Sequence, residues 1–353
     1  MSWFMDAIHK AKRSYITRNV KIDNATQLLE SSPKSGDLLL CKIDKIKQHT
    51  RLEDIHGRRN HLYEGDTVIV VAAQRYATDQ FCAELPTQEG YCHLVAAGGI
   101  AGKVIHRSGQ VKAPTEITLL GILGDQQGNA LNLSDFAPLA KTPITSADIP
   151  VLVVIGSDMN AGKTTTACAC INGLEKQGIK TAGAKLTGTG AGPDYWRMHD
   201  AGAHTVVDFL DAGYPSTIGL SNDDFLTILK KFKAAAIAAN CKVLILEIAD
   251  GILQPETKEL INSTRFVQQI TGAIVAADSA TSAMMVTERI ARADFPVYAV
   301  SGLFSRSPIA CEEVAQASGL PVFTASNLTQ PAAIDYIYSA LKQDYSSAHI
   351  LAG

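Results

Sequence analysis

The chain has 353 residues, more than one typical core holds and comfortable for two domains. Hydrophobic residues make up 46% and charged residues 19%, the balance of an ordinary soluble globular protein, and a formal net charge of -3 gives no reason to expect nucleic acid or an anionic membrane as partner. With no secretory signal and no apolar run of about 18 residues in view, the expected location is cytoplasmic, with the seven cysteines reduced.

Residues 1–35 read as an N-terminal helix in which Trp3, Phe4, Ile8 and Ile16 alternate with Lys10, Lys12, Arg13 and Arg18. Such a basic amphipathic segment can lie on a membrane, but the expectation is docking on its own domain or a partner subunit. Ser31-Ser-Pro-Lys-Ser-Gly36 ends the pattern. From 36 to 137 the signal becomes short β-type runs between turns, at Asp37–Ile43, Thr67–Ala72, His93–Ala97, Lys103–His106 and Glu116–Leu123. A β-rich, barrel-like domain is expected. Ala96-Ala-Gly-Gly-Ile-Ala-Gly102 lacks the strand-to-helix context of a dinucleotide fingerprint and reads as a tight barrel turn. His49, Arg51, Arg58, Arg59 and His61 cluster in one stretch, which leaves two readings open: recognition of an anionic substrate, or a solvated hairpin. The histidines at 49, 56, 61 and 93 have no metal-ligand spacing.

Pro138 to Pro150, with Thr142-Pro, Thr145-Ser and Ile149-Pro, reads as a linker over 138–150. From 151 to 353 strands and helices alternate. Strands are expected at Val151–Ile155, Thr181–Leu186, Thr205–Asp208, Val243–Ile248, Ala273–Ala277, Val297–Ser301 and Val322–Thr324, with helices such as Lys163–Gly178 and Asp223–Ala239. Ser221 is a natural N-cap, and Ser307-Pro308 a natural helix start. The fold class is therefore α/β: a parallel, three-layer domain preceded by a smaller β-rich one. Ligands of such a sheet bind at the carboxyl ends of its strands.

The first of these strands runs into Gly156-Ser157-Asp158-Met-Asn160-Ala161-Gly162-Lys163-Thr164-Thr165, a strand, small-residue turn and helix start in the layout of a phosphate-binding P-loop. Successive backbone N–H groups and the positive end of the helix attract phosphate. Lys163 is suited to the β/γ-phosphates, Thr164 to a Mg²⁺ ion, and Gly162 to close backbone approach. Five residues separate Gly156 from Gly162, one more than the common pattern. The second strand ends in Lys185-Leu-Thr-Gly-Thr-Gly190 and the fourth in Glu247-Ile-Ala-Asp250. A carboxylate closing an apolar strand is costly unless something positive meets it, so Glu247 is a candidate metal contact and Lys185 a candidate phosphoryl partner. Asp208, ending the third strand, is a second metal candidate, with Asp194 and Asp200 as substitutes. Ser301 ends the sixth strand.

The longer loop, with its Gly-Ser-Asp start, resembles that of dethiobiotin synthetases, and also the P-loop domain of D-glutamate N-acetyltransferase-type proteins. Both belong with nitrogenase iron protein, cobyrinate amidases and partition ATPases, although Ser157 and Asp158 stand where partition ATPases carry a second lysine. The segment at Lys185 is similar to the dethiobiotin synthetase Lys-Pro-x-x-Thr-Gly segment without its proline. Glu247 matches the glutamate of Glu-Gly-Ala-Gly-Gly-Leu-x-x-Pro, with Ile248 and Asp250 at glycine positions. The resemblance covers about residues 150–330. It implies an ATP- and Mg²⁺-dependent enzyme that activates a carboxylate or carbamate of a small molecule, with Lys163, Lys185 and Glu247 catalytic. It also implies Thr164, Asp208 and Glu247 at the metal, and a homodimer or higher homo-oligomer. In the resembling enzymes the end of the sixth strand cradles the adenine, and only this makes Ser301 a candidate contact for the base, whose identity serine leaves open. An acyltransferase that uses the loop to hold a coenzyme, and a nucleotide-gated assembly protein, are the alternatives.

Overall fold

The computed structural model describes residues 3–87, 90–145 and 147–352; Met1 and Ser2 of the expected N-terminal helix, Ser146 of the linker and Gly353 lie outside them. The chain divides into two compact units. One holds the chain up to Lys141 together with 189–193 and 209–218; the other holds 142–188, 194–208 and the remainder from 219. Two short segments that a linear division at residue 151 gives to the P-loop domain thus fold with the β-rich unit.

In the first unit the N-terminal helix α1 spans only Trp3–Lys10. The sequence beyond it does not continue as a helix. Lys12 and Arg13 (β1) pair in parallel with Val68 and Ile69, and Tyr15, Ile16 and Val20 join Ile8 in one buried cluster around two short turns. The pairing with β6 engages backbone groups that a continued helix would have used for its own hydrogen bonds. The strands that follow are β2 (Gln27–Leu29), β3 (Leu38–Lys45), β4 (Arg51–Glu53), β5 (Arg59–His61) and β6 (Thr67–Ala72). After them come β7 (Arg75–Tyr76), β8 (Phe81–Glu84), β9 (Tyr91–Ala96), β10 (Ile100–Arg107) and β11 (Thr115–Gly124).

Strands β6, β3, β11, β9 and β10 neighbour one another in that order, and β10 pairs back onto β6 in parallel through Ile100–Val71 and Ala101–Ala72. This closes a five-stranded barrel and removes both sheet edges. Because side chains alternate along a strand, Leu39, Cys41 and Ile43 of β3 share the interior with Val68, Val70 and Ala72 of β6 and with Cys92 and Leu94 of β9. The opposite faces are buried too: Leu38, Leu40, Ile69 and Val71 pack with Ile8, Tyr15, Ile16, Phe209 and Leu210. Two buried faces explain why β6, Thr-Val-Ile-Val-Val-Ala, is apolar from Val68 onward instead of alternating.

The second unit is a six-stranded parallel sheet. Its strands are β12 (Val151–Gly156), β13 (Thr181–Lys185), β14 (Thr205–Asp208), β15 (Val243–Glu247), β16 (Gly272–Ala277) and β17 (Val297–Gly302), in the order β14-β13-β15-β12-β16-β17. Its helices are α2 (Lys163–Lys176), α3 (Gly192–Asp200, whose first two residues belong to the β-rich unit), α4 (Asn222–Ala238), α5 (Pro255–Asn262), α6 (Thr264–Val267), α7 (Ala280–Ala291), α8 (Pro308–Ser318) and α9 (Pro331–Ala352). Ser221 caps α4 in a capping box with Asp224, and Ser307 caps α8 with Pro308 at its first position. Val322–Thr324 is no strand. Only Val322 bridges to Val300, because Pro321 has no N–H to give and Asn327 takes up the Thr324 amide. From β12 the chain crosses β15 to reach β13, and β16 continues on the other side; this reversal opens a crevice at the carboxyl ends of β12, β13 and β15.

Residues 209–218 are tied into the first unit by Asp211, which accepts hydrogen bonds from Arg18 Nη2 at 2.8 Å and Asn19 Nδ2 at 3.2 Å. Both charged side chains are about nine-tenths buried, with 11% and 12% exposure. Removing the carboxylate takes away the buried negative charge that faces Arg18, so Asp211→Ala is expected to destabilise the β-rich unit by about 3 kcal/mol in urea unfolding. A loss near zero would show that solvent readily replaces the pair.

Candidate functional site

The loop after β12 has little room for side chains. A Cβ on Gly156 would sit 2.4 Å from the Ala276 carbonyl oxygen and 2.9 Å from Lys163 Cγ. Gly162, directly before α2, has φ +98°, and Asn160 has φ 62°, both in the left-handed region. The turn so formed brings the free N–H groups at the start of α2 to the mouth of the loop. Lys163 is 6% exposed and lies back along the loop, its Nζ donating to the Asp158 carbonyl at 2.6 Å. Burial holds its pKa below the usual lysine range.

Across the crevice stand three oxygen-bearing side chains. Thr164 Oγ1 is 2.9 Å from Glu247 Oε1 and 3.2 Å from Asp194 Oδ1. A hydroxyl has one hydrogen, so it can donate to only one of them at a time. Glu247, the last residue of β15, is 2% exposed, and its Oε2 has no hydrogen-bond partner among the described residues. Burial raises its pKa above the ordinary carboxylate range. Lys185 ends β13 in register with Glu247 and forms an ion pair with Asp194. Burial opposes its charge, but Asp194 and Glu247 together outweigh that and hold its pKa above the usual lysine range. Lys185 in turn keeps the Asp194 carboxyl low. Arg197, one turn further along α3, donates to Thr165 Oγ1 at 2.9 Å. These groups line one cleft of ≈ 340 Å³, together with Asp250 and Leu303.

The sequence-predicted residues therefore separate into three sets. Asn160, Gly162, Lys163, Thr164, Thr165, Lys185 and Glu247 line the cleft. Gly156, Ser157, Asp158 and Ala161 shape the loop from behind: Ser157 Oγ donates to Asp278 Oδ1 at 3.0 Å, and the Ala161 carbonyl accepts from Leu303 N at 3.1 Å. Asp208 and Ser301 do not reach the cleft. Asp208 is buried at the end of β14, the edge strand, one strand further from the loop than Lys185. Asp194 stands beside Thr164 in its place. Ser301 is 1% exposed and meets Thr166 Oγ1 at 3.3 Å, so it is closed off from a ligand. Asp194 was one of two substitutes for Asp208; Arg197 carried no sequence signal, because only the turn of α3 aims it at the loop.

The donor set fits a magnesium ion. Thr164, Glu247 and Asp194 offer hard oxygens, and the unpartnered Glu247 Oε2 is a buried atom that needs a positive neighbour. No group of three His, Cys, Asp or Glu side chains forms a closed metal cage among the described residues. Mg²⁺ does not require one, since it is held by one or two carboxylates with phosphate and water supplying the rest.

No protein-family model and no curated protein matches the chain. Among solved structures it is similar to the signal recognition particle receptor FtsY from Elizabethkingia anophelis in complex with GDP, with 15% identity, a TM-score of 0.38, and coverage of 54% of this chain and 62% of that one. Signal recognition particle 54 kDa protein from Aeropyrum pernix K1, also with GDP, shows 15% identity and a TM-score of 0.38 over 62% of this chain and 54% of its own. A DUF1611 family protein from Anabaena variabilis shows 10% identity and a TM-score of 0.37 over 58% and 62%. The chain thus spans less than two thirds of the length of each of these three. Likeness at this level says nothing of substrate or partner. The P-loop architecture rests on the chain's own strand order and loop geometry.

Proposed function

We propose that the second unit binds a nucleoside triphosphate with Mg²⁺ and transfers its γ-phosphoryl group to a carboxylate or carbamate of a small molecule. One observation carries this reading: Lys163 and Lys185 line the same cleft as Thr164, Asp194 and Glu247. A protein that merely holds a nucleotide has use for the loop, its lysine and its threonine. A second lysine, fixed by a carboxylate and in register with the metal-side glutamate, suits a reaction in which negative charge moves between donor and acceptor. The dethiobiotin synthetase resemblance of the segments at 185–190 and 247–255 points the same way.

In this reading the loop amides and Lys163 bind the β- and γ-phosphates. Thr164, Glu247 and Asp194 would hold Mg²⁺, which when bound neutralises charge on the phosphate oxygens. Lys185 and Arg197 orient the transferring group and the acceptor. An acceptor carboxylate oxygen attacks the γ-phosphorus, the bond to the β-phosphate oxygen breaks, and the products are a nucleoside diphosphate and an acyl phosphate. The attacking group is the acceptor's own oxygen, so the reaction requires no protein nucleophile.

Calorimetry with ATP, GTP and acetyl-coenzyme A, each with and without Mg²⁺, tests the reading. Mg²⁺-dependent binding of a triphosphate is the expected result; binding of the coenzyme alone would replace it with the acyl-transfer alternative. Lys163→Ala should abolish triphosphate binding while leaving the thermal midpoint within about 4 °C, since the lysine sits in a cleft and not in a core cluster. Unchanged affinity would refute the P-loop assignment.

Glu247→Gln separates stability from chemistry. With its folded pKa raised, the carboxylate costs stability that builds as pH rises from the unfolded value of about 4.3 and is complete above the raised folded value, and this penalty is absent below about 4.3. The glutamine variant should therefore be at least as stable as the parent at pH 8, with the gap closing toward pH 4. Mg²⁺-dependent phosphate release should nevertheless fall by about 100-fold or more. Full turnover would remove Glu247 from the site.

A further inference from the structure

A second concave site, of ≈ 510 Å³, is built entirely from the β-rich unit and the 189–193 segment that folds with it. Its basic side chains are positioned by strand register. In the β4–β5 ribbon Arg51 is opposite His61, and Glu53 is opposite Arg59. Alternation places Arg51 and Glu53 on one face, and cross-strand pairing sets Arg59 beside Glu53. Glu53 is 1% exposed and engaged on both oxygens: Oε1 lies 3.5 Å from Arg59 Nε, and Oε2 accepts the Gly192 N–H at 2.9 Å. It is the one carboxylate among the lining residues. Arg75, on β7, brings a third guanidinium that is itself buried, at 8% exposure.

The rest of the lining is fixed and uncharged. Thr115 Oγ1 accepts the His49 N–H at 3.1 Å and donates to the His49 carbonyl at 2.9 Å, which pins this stretch of chain. Burial, and then the nearby Arg75, push the His49 imidazole down to about 4, so it is neutral at pH 7, and its buried Nδ1 has no partner among the described residues. The Ala96-Ala-Gly-Gly turn joins β9 to β10, as expected of a barrel turn, and also lines the cavity. A Cβ on Gly98 would stand 2.1 Å from the Gly190 carbonyl oxygen, so this wall admits only glycine.

The two readings of the basic cluster are thereby divided. Arg58 and His61 lie outside the cavity, as a solvated hairpin would have them. Arg51 and Arg59, both exposed, line it beside His49 and Arg75, and solvation does not explain the burial of Arg75. We propose that this cavity binds a small molecule through a carboxylate or phosphate group, held by Arg51, Arg59 and Arg75, with Gln80 and Thr189 as uncharged hydrogen-bonding neighbours. Guanidinium forks suit both groups, and a pocket of this size takes a metabolite and not a polymer.

Calorimetric titration of the full chain at low ionic strength, with succinate and separately with inorganic phosphate, tests this. The parent, Arg51→Gln and Lys163→Ala chains are compared; Arg51 is exposed, so its replacement leaves the fold intact. At least one probe should bind the parent and Lys163→Ala alike, and bind Arg51→Gln about tenfold more weakly or worse. Succinate alone assigns a carboxylate ligand, and phosphate alone a phosphate ester. The site is overturned if neither probe binds, if Arg51→Gln binds as the parent does, or if binding disappears in Lys163→Ala. Because Lys163 belongs to the other cleft, failure of the phosphoryl-transfer reading leaves this test unaffected.

Discussion

One buried carboxylate, Glu247, organises the cleft of the parallel-sheet unit. Glu247 closes a strand whose other residues are all apolar, and water cannot solvate it there. An unpaired charge in such a place is expensive, and the structure answers with Lys163 and Lys185 on either side and the Thr164 hydroxyl on one oxygen. The arrangement still leaves Oε2 unpartnered among the described residues. A site optimised for stability alone would have filled that position with an apolar side chain. The unbalanced carboxylate makes sense as the receptor for a cation that arrives with a ligand.

The same logic explains the neighbouring contacts. Lys163 bonds its own loop, and Lys185 bonds Asp194, so each cation has an internal partner of its own. Phosphate oxygens would take over those hydrogen bonds, which exchanges one set of charge-assisted contacts for another without stranding a charge. The cleft is thus preorganised, with its side chains already on rigid strand ends and helix starts.

The β-rich unit solves a different problem. Five strands close into a barrel through the parallel β6–β10 pairing, and the outer surface is then covered by Tyr15, Ile16, Phe209 and Leu210. With both faces of the wall buried, polar side chains collect where the short β4–β5 and β7–β8 ribbons leave the barrel. That is where Arg51, Arg59 and Arg75 meet.

Much was legible in the sequence because it depends on local pattern. Apolar runs ending in glycine or a charged residue located all six strands of the parallel sheet, and the Gly-Lys-Thr turn located the loop. Lys185 and Glu247 were legible as charges ending such runs. Five barrel strands were visible as short β-type runs between turns, whereas β4, β5 and β7, rich in arginine and only two or three residues long, carried no such signal. What the sequence by itself determined is the parallel α/β framework, the loop and the two charged strand ends, since strand periodicity and turn chemistry act over a few residues. The tertiary structure alone decided that Asp194 and not Asp208 faces Thr164, that Ser301 is sealed inside, and that residues 189–193 and 209–218 belong with the barrel. Those outcomes depend on strand order and on which buried surfaces close over one another, and neither is encoded by neighbours in the chain.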